Sequence, residues 1–176
     1  MALIEGTSGN NHLRGTDSAD EIYGYGGNDE IEGRSGSDTL YGGGGHDELD
    51  GDKGNDTFYG AAGNDELDGD GGKDELRGGK GNDHLDGGNG NDTLTGGKGA
   101  DVFEFETGDG RDVLADWGRG NDRMDLEDFG YSSFGQVMQD ASNVGGDVVF
   151  EFRGGTEVTV LDAHTSDFST GDFILF

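Results

Sequence analysis

Gly51-Asp52-Lys53-Gly54-Asn55-Asp56-Thr57-Phe58-Tyr59 is one of eleven nonapeptides that run without an insertion from Gly6 to Glu104. Glycine opens every unit: Gly6, Gly15, Gly24, Gly33, Gly42, Gly51, Gly60, Gly69, Gly78, Gly87 and Gly96. Seven residues later stands an apolar side chain: Leu13, Ile22, Ile31, Leu40, Leu49, Phe58, Leu67, Leu76, Leu85, Leu94 and Phe103. The first six positions are glycine-rich and polar, which predicts a tight turn with positive φ. The last three read polar, apolar, variable: a three-residue strand whose middle side chain points one way. Such a strand cannot stand alone and must stack on copies of itself. Two units then make one coil of 18 residues, and residues 18 apart lie over one another at roughly 4.8 Å, the spacing of paired strands.

Stacking sorts the apolar residues into two columns. Ile22, Leu40, Phe58, Leu76 and Leu94 line one sheet; Leu13, Ile31, Leu49, Leu67, Leu85 and Phe103 line the other, with Ile4 expected one step before Leu13. The outward faces differ. One carries Glu30, Glu32, Glu48, Asp50, Glu66, Asp68 and Asp86; the other carries Tyr23, Tyr41 and Tyr59 beside Thr39, Thr57 and Thr93.

The rest of the composition argues against ordinary folding. Of 176 residues, 29% are hydrophobic and 39 are glycine, and the formal charge is −28. That balance usually marks disorder, since little apolar surface opposes self-repulsion and chain entropy. Cysteine is absent, so no disulfide assists. No apolar run is long enough to span a membrane. The start, MALIEGTSGNN, lacks a basic segment followed by a long apolar one, so no cleaved secretory signal is expected. So acidic a chain suits cations and repels nucleic acid and anionic lipid.

Five residues after each opening glycine stands a carboxylate: Asp20, Asp29, Asp38, Asp47, Asp56, Asp65, Asp74, Asp83, Asp92 or Asp101, with Asn11 in the first unit. The fold places Asp20, Asp38, Asp56, Asp74 and Asp92 in one column and Asn11, Asp29, Asp47, Asp65, Asp83 and Asp101 in the other. Like charges stacked this closely require a hard dication with oxygen ligands, and calcium meets that need better than magnesium, which retains its own waters. Zinc would want Cys or clustered His; His12, His46, His84 and His164 are scattered. Four gaps in each column give about eight sites, with a ninth at Asn11–Asp29. Residues 6–104 carry 23 acidic and 7 basic side chains, a net of −16, which eight calcium ions would neutralise. The alternative, aspartates that only close Asx turns, suits one unit better than ten in register.

This pattern resembles the glycine- and aspartate-rich nonapeptide GGxGxDxUx of RTX (repeats-in-toxin) proteins, a calcium-binding repeat. The resemblance implies an all-β, right-handed parallel β-roll with calcium between stacked turns. Departures occur: Thr7, Thr16, Tyr25, Arg34, Asp52, Ala61 and Asp70 replace the second glycine, Ser18 replaces the fourth-position glycine, and Asn11 replaces the first aspartate. The N-terminal coil is therefore expected to be weak or capping.

The period stops after Phe103. Val102–Phe105, Val113–Trp117, Asp147–Arg153 and Thr156–Asp162 read as strands, and Phe134–Ala141 as a short helix capped by Ser132 or Ser133. With its many aromatics, this part reads as a mostly-β cap over the open end of a solenoid. The expected domains are a roll over residues 1–104 and a cap over 105–176. Residues 99–126 resemble the flank that follows the repeats in serralysin-type secreted proteins, which implies that Asp109 and Asp112 ligate one last ion with the Asp101 turn. The end, Asp172-Phe173-Ile174-Leu175-Phe176, resembles the acidic-then-hydrophobic terminus of type I secretion substrates; it also fits a final cap strand.

No HExxH, GxSxG, phosphate loop or dinucleotide fingerprint is found, and five residues precede the first repeat, so no catalytic activity is expected. His12 and His84 read as surface residues. The leading expectation is a secreted or cell-surface, monomeric module that folds on calcium after export through the type I secretion machinery. Alternatives are an accessory module of a larger secreted protease, lipase or alginate epimerase, and a binder of polysaccharide on the Tyr/Thr face.

Overall fold

The computed structural model describes residues 1–118 and 121–175; Phe176, the last residue of the acidic-then-hydrophobic terminus, lies outside them. Alternate nonapeptides feed two parallel sheets, so the chain is a parallel β-solenoid. One sheet stacks Leu3–Thr7, Glu21–Gly26, Thr39–Gly44, Thr57–Ala62, Glu75–Lys80, Thr93–Lys98, Arg111–Leu114 and Glu157–Val160 in parallel, then adds Asp147–Glu151 and Ala141–Val144 antiparallel. The facing sheet stacks His12–Arg14, Glu30–Glu32, Glu48–Asp50, Glu66–Asp68, His84–Asp86, Val102–Glu104, Arg123–Asp125 and Phe173–Ile174, all parallel. Through the repeats each strand residue that pairs does so with its counterpart 18 positions on, as in Leu40↔Phe58 and Leu49↔Leu67.

The turns are not merely turns. Tyr25, Gly43, Ala61, Gly79 and Gly97 pair in succession as extensions of the first sheet. Ser35–Gly36, Lys53–Gly54, Gly71–Gly72 and Asn89–Gly90 form a third, four-stranded parallel sheet. Each turn's N–H and C=O meets an identical turn one coil away, so the demand for backbone partners extends the ladders beyond the three-residue strands. The close approach explains the fourth-position glycine. A Cβ at Gly54 would lie 1.6 Å from the Gly36 carbonyl oxygen, and at Gly45 1.9 Å from that of Gly27.

The core runs between the two main sheets. Ile22, Leu40, Phe58, Leu76 and Leu94 are fully buried, as are Leu85 and Phe103 opposite; Ile4 and Leu13 at the N-terminal end are only partly buried. Ile4 pairs with Ile22 and so belongs to that column, not to the Leu13 column, because 18 residues rather than nine separate stacked neighbours. On the outer face the tyrosines form a stacked ladder: ring centroids are 5.8 Å apart for Tyr25–Tyr23, 4.4 Å for Tyr23–Tyr41 and 4.9 Å for Tyr41–Tyr59. Arg77 covers the next ring face at 5.5 Å from the Tyr59 centroid.

Coiling outlasts the strict period. Leu94 pairs with Leu114 and Phe103 with Met124, spacings of 20 and 21, because two loops lengthen while the strand register holds. The strands Arg123–Asp125 and Ala141–Val144 and the shortness of the helix, Phe134–Val137, differ from the sequence expectation. Ser133 sits at the cap position, but its side chain makes no capping bond. The end of the solenoid is closed by packed rings: Phe150 lies 5.2 Å from Phe168 and 6.1 Å from Phe173, and Trp117 stacks 5.3 Å from Phe168.

Candidate metal centre

The ten repeat aspartates are between 1 and 3% exposed. In each column the backbone N–H of one sixth-position residue donates to Oδ1 of the aspartate one coil on. The distances are 2.6 Å for Asp20→Asp38 and Asp38→Asp56, and 2.7 Å for Asp56→Asp74 and Asp74→Asp92. In the second column they are 2.7 Å for Asn11→Asp29, 2.9 Å for Asp29→Asp47, 3.0 Å for Asp47→Asp65, 2.9 Å for Asp65→Asp83 and 3.0 Å for Asp83→Asp101. Oδ1 is thereby satisfied by protein. Oδ2 is not: in Asp29, Asp38, Asp47, Asp56, Asp65, Asp74, Asp83 and Asp92 it is buried with no hydrogen-bond partner. An oxygen of this kind is costly to bury, and a row of them demands a counterpart.

The Asx-turn alternative holds only at the ends of the columns: at Asn11 and Asp20, and at Asp122, whose Oδ2 accepts from Gly118 N–H. Asn11 Oδ1 accepts from Thr7 N–H at 2.7 Å, and Asp20 Oδ2 accepts from the Thr16 N–H and hydroxyl, both at 2.7 Å. Beyond those units the turn turns away from the carboxylate. The second-position residues Tyr25, Arg34, Asp52, Ala61 and Asp70 all adopt positive φ, from 58 to 82°.

The columns extend past the repeats. Asp92 N–H donates to Asp112 Oδ1 at 2.9 Å, and Asp112 Oδ2 is another unpartnered buried oxygen. Asp112 thus stands over Asp92, not over the Asp101 turn. Asp109, 6% exposed, lies beside it; its Oδ2 accepts from Glu106 N–H and its carbonyl from Gly90 N–H. The residue over Asp101 is Asp122, which accepts Asp101 N–H at 3.1 Å and Gly118 N–H at 2.9 Å. Sequence reasoning passed over it, although Asn121-Asp122-Arg123-Met124-Asp125 repeats the Asn-Asp-x-apolar-x half of the nonapeptide. A second ladder was also missed. Asn10 Oδ1 accepts from Asn28 N–H, Asn28 Oδ1 from His46 N–H, His46 Nδ1 from Asn64 N–H, and Asn64 Oδ1 from Asn82 N–H, at 2.8 to 3.1 Å.

Burial, reinforced by repulsion from stacked neighbours, pushes Asp56, Asp74, Asp83, Asp92 and Asp112 up to about 7; the N–H bond each accepts opposes the rise. Asp65 is pushed to about 6 for the same reasons. The donors are all oxygen, dehydrated and mutually repelling, with turn carbonyls close by. They fit a hard dication, and among the described residues His and Cys offer no grouping for zinc.

Two predictions follow from this geometry. Asp56→Ala removes the acceptor of Asp38 N–H and an ion-facing oxygen, so it should destabilise the calcium form by roughly 2–4 kcal/mol. Asn11→Ala should change little. Equal losses of bound ions in isothermal titration of the two variants would contradict the stacked columns. The second concerns pH. These carboxyls titrate near 6 to 7 when folded and near 3.9 when unfolded, so protonation favours the ion-free fold. That contribution is complete below about pH 4 and is lost as pH rises through about 7. In chelator, the chain should show more strand at pH 5 than at pH 8 by circular dichroism; identical spectra would count against it.

Similarity to known proteins agrees with this site. A family model described as the RTX calcium-binding nonapeptide repeat matches residues 5–40, 32–67, 41–76 and 68–103, together more than half of the chain. No curated protein matches the sequence. Among solved structures, the extracellular lipase LipA of Serratia marcescens is similar over 99% of this chain with a TM-score of 0.51 and 21% identity. The chain spans 42% of that lipase's length. The AlgE6R2 subunit of the mannuronan C5-epimerase of Azotobacter vinelandii aligns over 98% of this chain and 91% of its own, with 22% identity and a TM-score of 0.44. With its repeats matched in sequence, its parallel coils stacked and its aspartates aligned in two columns, the chain belongs to the RTX calcium-binding nonapeptide repeat family.

Proposed function

We propose that this chain is a calcium-responsive folding module of an exported protein, disordered where calcium is scarce and folded where it is abundant. The observation that carries this reading is the row of buried Asp Oδ2 atoms without a protein partner. An ion that binds only the folded state supplies those partners and stabilises the fold by mass action. Asp20, Asp29, Asp38, Asp47, Asp56, Asp65, Asp74, Asp83, Asp92 and Asp101 are the proposed ligands, continued by Asp112 and Asp122, with Asn11 at one end and Asp109 at the other. The stacked pairs make ten gaps between aspartates, two more than the sequence alone suggests, plus Asn11–Asp29.

Extracellular sites of this chemistry bind calcium at roughly 0.1–1 mM, so the same chain stays unfolded in a calcium-poor cytosol and folds outside. This supports passage through a type I exporter and a secreted or cell-surface location. The division into a roll, 1–104, and a cap, 105–176, belongs to this proposal, although the stack runs on across residue 104. The module acts as a scaffold without catalysis of its own, alone or as an accessory part of a larger secreted enzyme. Sugar binding on the Tyr/Thr face gains no support from the ladder, because the faces of Tyr23, Tyr41 and Tyr59 are covered by one another, Tyr25 and Arg77. A calcium titration of the full chain followed by far-UV circular dichroism tests the reading; equal strand content in excess chelator and in millimolar calcium overturns it.

A further inference from the structure

Tyr25, Tyr23, Tyr41 and Tyr59, four of the chain's five tyrosines, stand in the ladder on the outer face of the first sheet. Parallel pairing in register sets Tyr23 against Tyr41, and Tyr41 against Tyr59. The Tyr23 and Tyr41 rings are 2° from parallel with centroids 4.4 Å apart; for Tyr41 and Tyr59 the values are 6° and 4.9 Å. Tyr25 stands further off, 5.8 Å from Tyr23 and tilted by 20°. Tyr23, Tyr41 and Tyr59 are half-buried, so their faces are covered while their edges meet solvent. The fifth tyrosine, Tyr131, is 3% exposed and donates its hydroxyl proton to Asp140.

The two ends of the stack differ chemically. The Tyr23 hydroxyl donates to the Glu21 carboxylate. A phenol that loses an electron also sheds its proton, so a carboxylate already bonded to the hydroxyl assists oxidation as a base. At the other end the Arg77 guanidinium lies 5.5 Å from the Tyr59 centroid and is paired with Glu75. A cation over the ring opposes removal of an electron from it. Tyr23 and Tyr41 are therefore the stacked pair best prepared for oxidation.

We propose that Tyr23 and Tyr41 form a site of oxidative modification, joined through their Cε carbons as dityrosine by a one-electron oxidant, a peroxidase supplied with hydrogen peroxide. Each phenol loses one electron and its hydroxyl proton; Glu21 receives the proton of Tyr23. The two phenoxyl radicals pair their electrons in a new Cε–Cε bond. The hydrogen on each of those carbons then leaves as a proton and each oxygen regains one, which restores two aromatic phenols. In sum, two phenols and one hydrogen peroxide give one dityrosine and two waters. Stacking holds the reacting carbons together, so coupling within one chain outruns coupling between chains. The link closes a loop between strands Glu21–Gly26 and Thr39–Gly44 and constrains the unfolded chain, so the linked protein needs less calcium to fold.

The test uses the full chain, dilute and folded in calcium as judged by circular dichroism, treated with peroxidase and hydrogen peroxide. Dityrosine fluorescence, loss of two hydrogens from the intact monomer and a proteolytic fragment joining residue 23 to residue 41 are expected. Tyr41→Phe keeps the stacked rings but removes the shared phenol, so monomer fluorescence should fall about tenfold, whereas Tyr59→Phe should retain most of it. Glu21→Gln should slow coupling severalfold, and an unchanged rate overturns its role as base. The linked wild type should show a lower calcium midpoint for folding than the unlinked protein; equal midpoints overturn the stapling. A folded wild type without the 23–41 fragment, a link found only between chains, or a Tyr41→Phe chain that couples as readily as wild type overturns the site. The fragment is mapped on the wild type, so that result stands even where a variant does not fold.

Discussion

In excess chelator the full chain is expected to lose most of its far-UV strand signal, and millimolar calcium is expected to restore it cooperatively. The core is one apolar side chain per nonapeptide, with Phe58 and Phe103 the only aromatics within it along the repeats. Against that stand the ordering of a glycine-rich backbone and a charge of −28. Eight repeat aspartates also keep a buried oxygen without a hydrogen-bond partner, which is costly to leave unmet. Each coil depends on its neighbours for every strand bond, so loss of the ions should unfold the array in a narrow range rather than coil by coil. A chelated chain whose dichroism and amide-exchange protection match those of the calcium form would show that the aspartates do not govern folding.

A chain ending at Glu104 is expected not to fold at the calcium concentration that folds the full protein. Residues 105–175 continue the stack rather than merely lie on it. Arg111–Leu114 pairs with Thr93–Lys98, and Arg123–Asp125 pairs with Val102–Glu104. Leu114 and Met124, both fully buried, cover Leu94 and Phe103. Asp112 and Asp122 accept the N–H groups of Asp92 and Asp101, and Asp116 accepts those of Gly96 and Gly97 at 3.0 Å each. Truncation at residue 104 exposes two strand edges and two core residues and leaves those N–H donors to water. The region removed also has what the repeats lack: a cluster in which Phe150 meets Phe152, Phe168 and Phe173 at 5.2 to 6.1 Å. It can therefore order with less help from ions and serve as the template on which coils add toward Asn11. For a chain exported C-terminus first, the template would emerge before the repeats. If residues 1–104 fold cooperatively at the same calcium concentration as the full chain, the cap is not the nucleus.

The repeats could be read from sequence because translation is their only operation. Once Leu40 stacks on Phe58, every other residue of the coil is bound to its copy 18 positions on, so register, core columns and aspartate columns follow together. The same rule places Ile4 on Ile22. The turn ladders were legible in principle as well, yet glycine carries no side chain to announce a strand; only the pairing requirement of the backbone does.

The sequence by itself determined the period, the two-sided core and the alignment of carboxylates, because these depend on spacing alone. The tertiary structure decided three further things. It set which carboxylate oxygen is satisfied, since that depends on where each turn's N–H points: toward the side chain at Thr7, Thr16 and Gly118, and not toward it in the units whose Oδ2 has no partner. It set that Asp112 follows Asp92 and Asp122 follows Asp101, since loops of altered length change the spacing to 20 and 21 while the strands keep register. And it set how the solenoid closes, since the last coil has no copy above it, and its edges and core are covered by contacts between residues far apart in sequence, such as Trp117 with Phe168 and Met124 with Phe173.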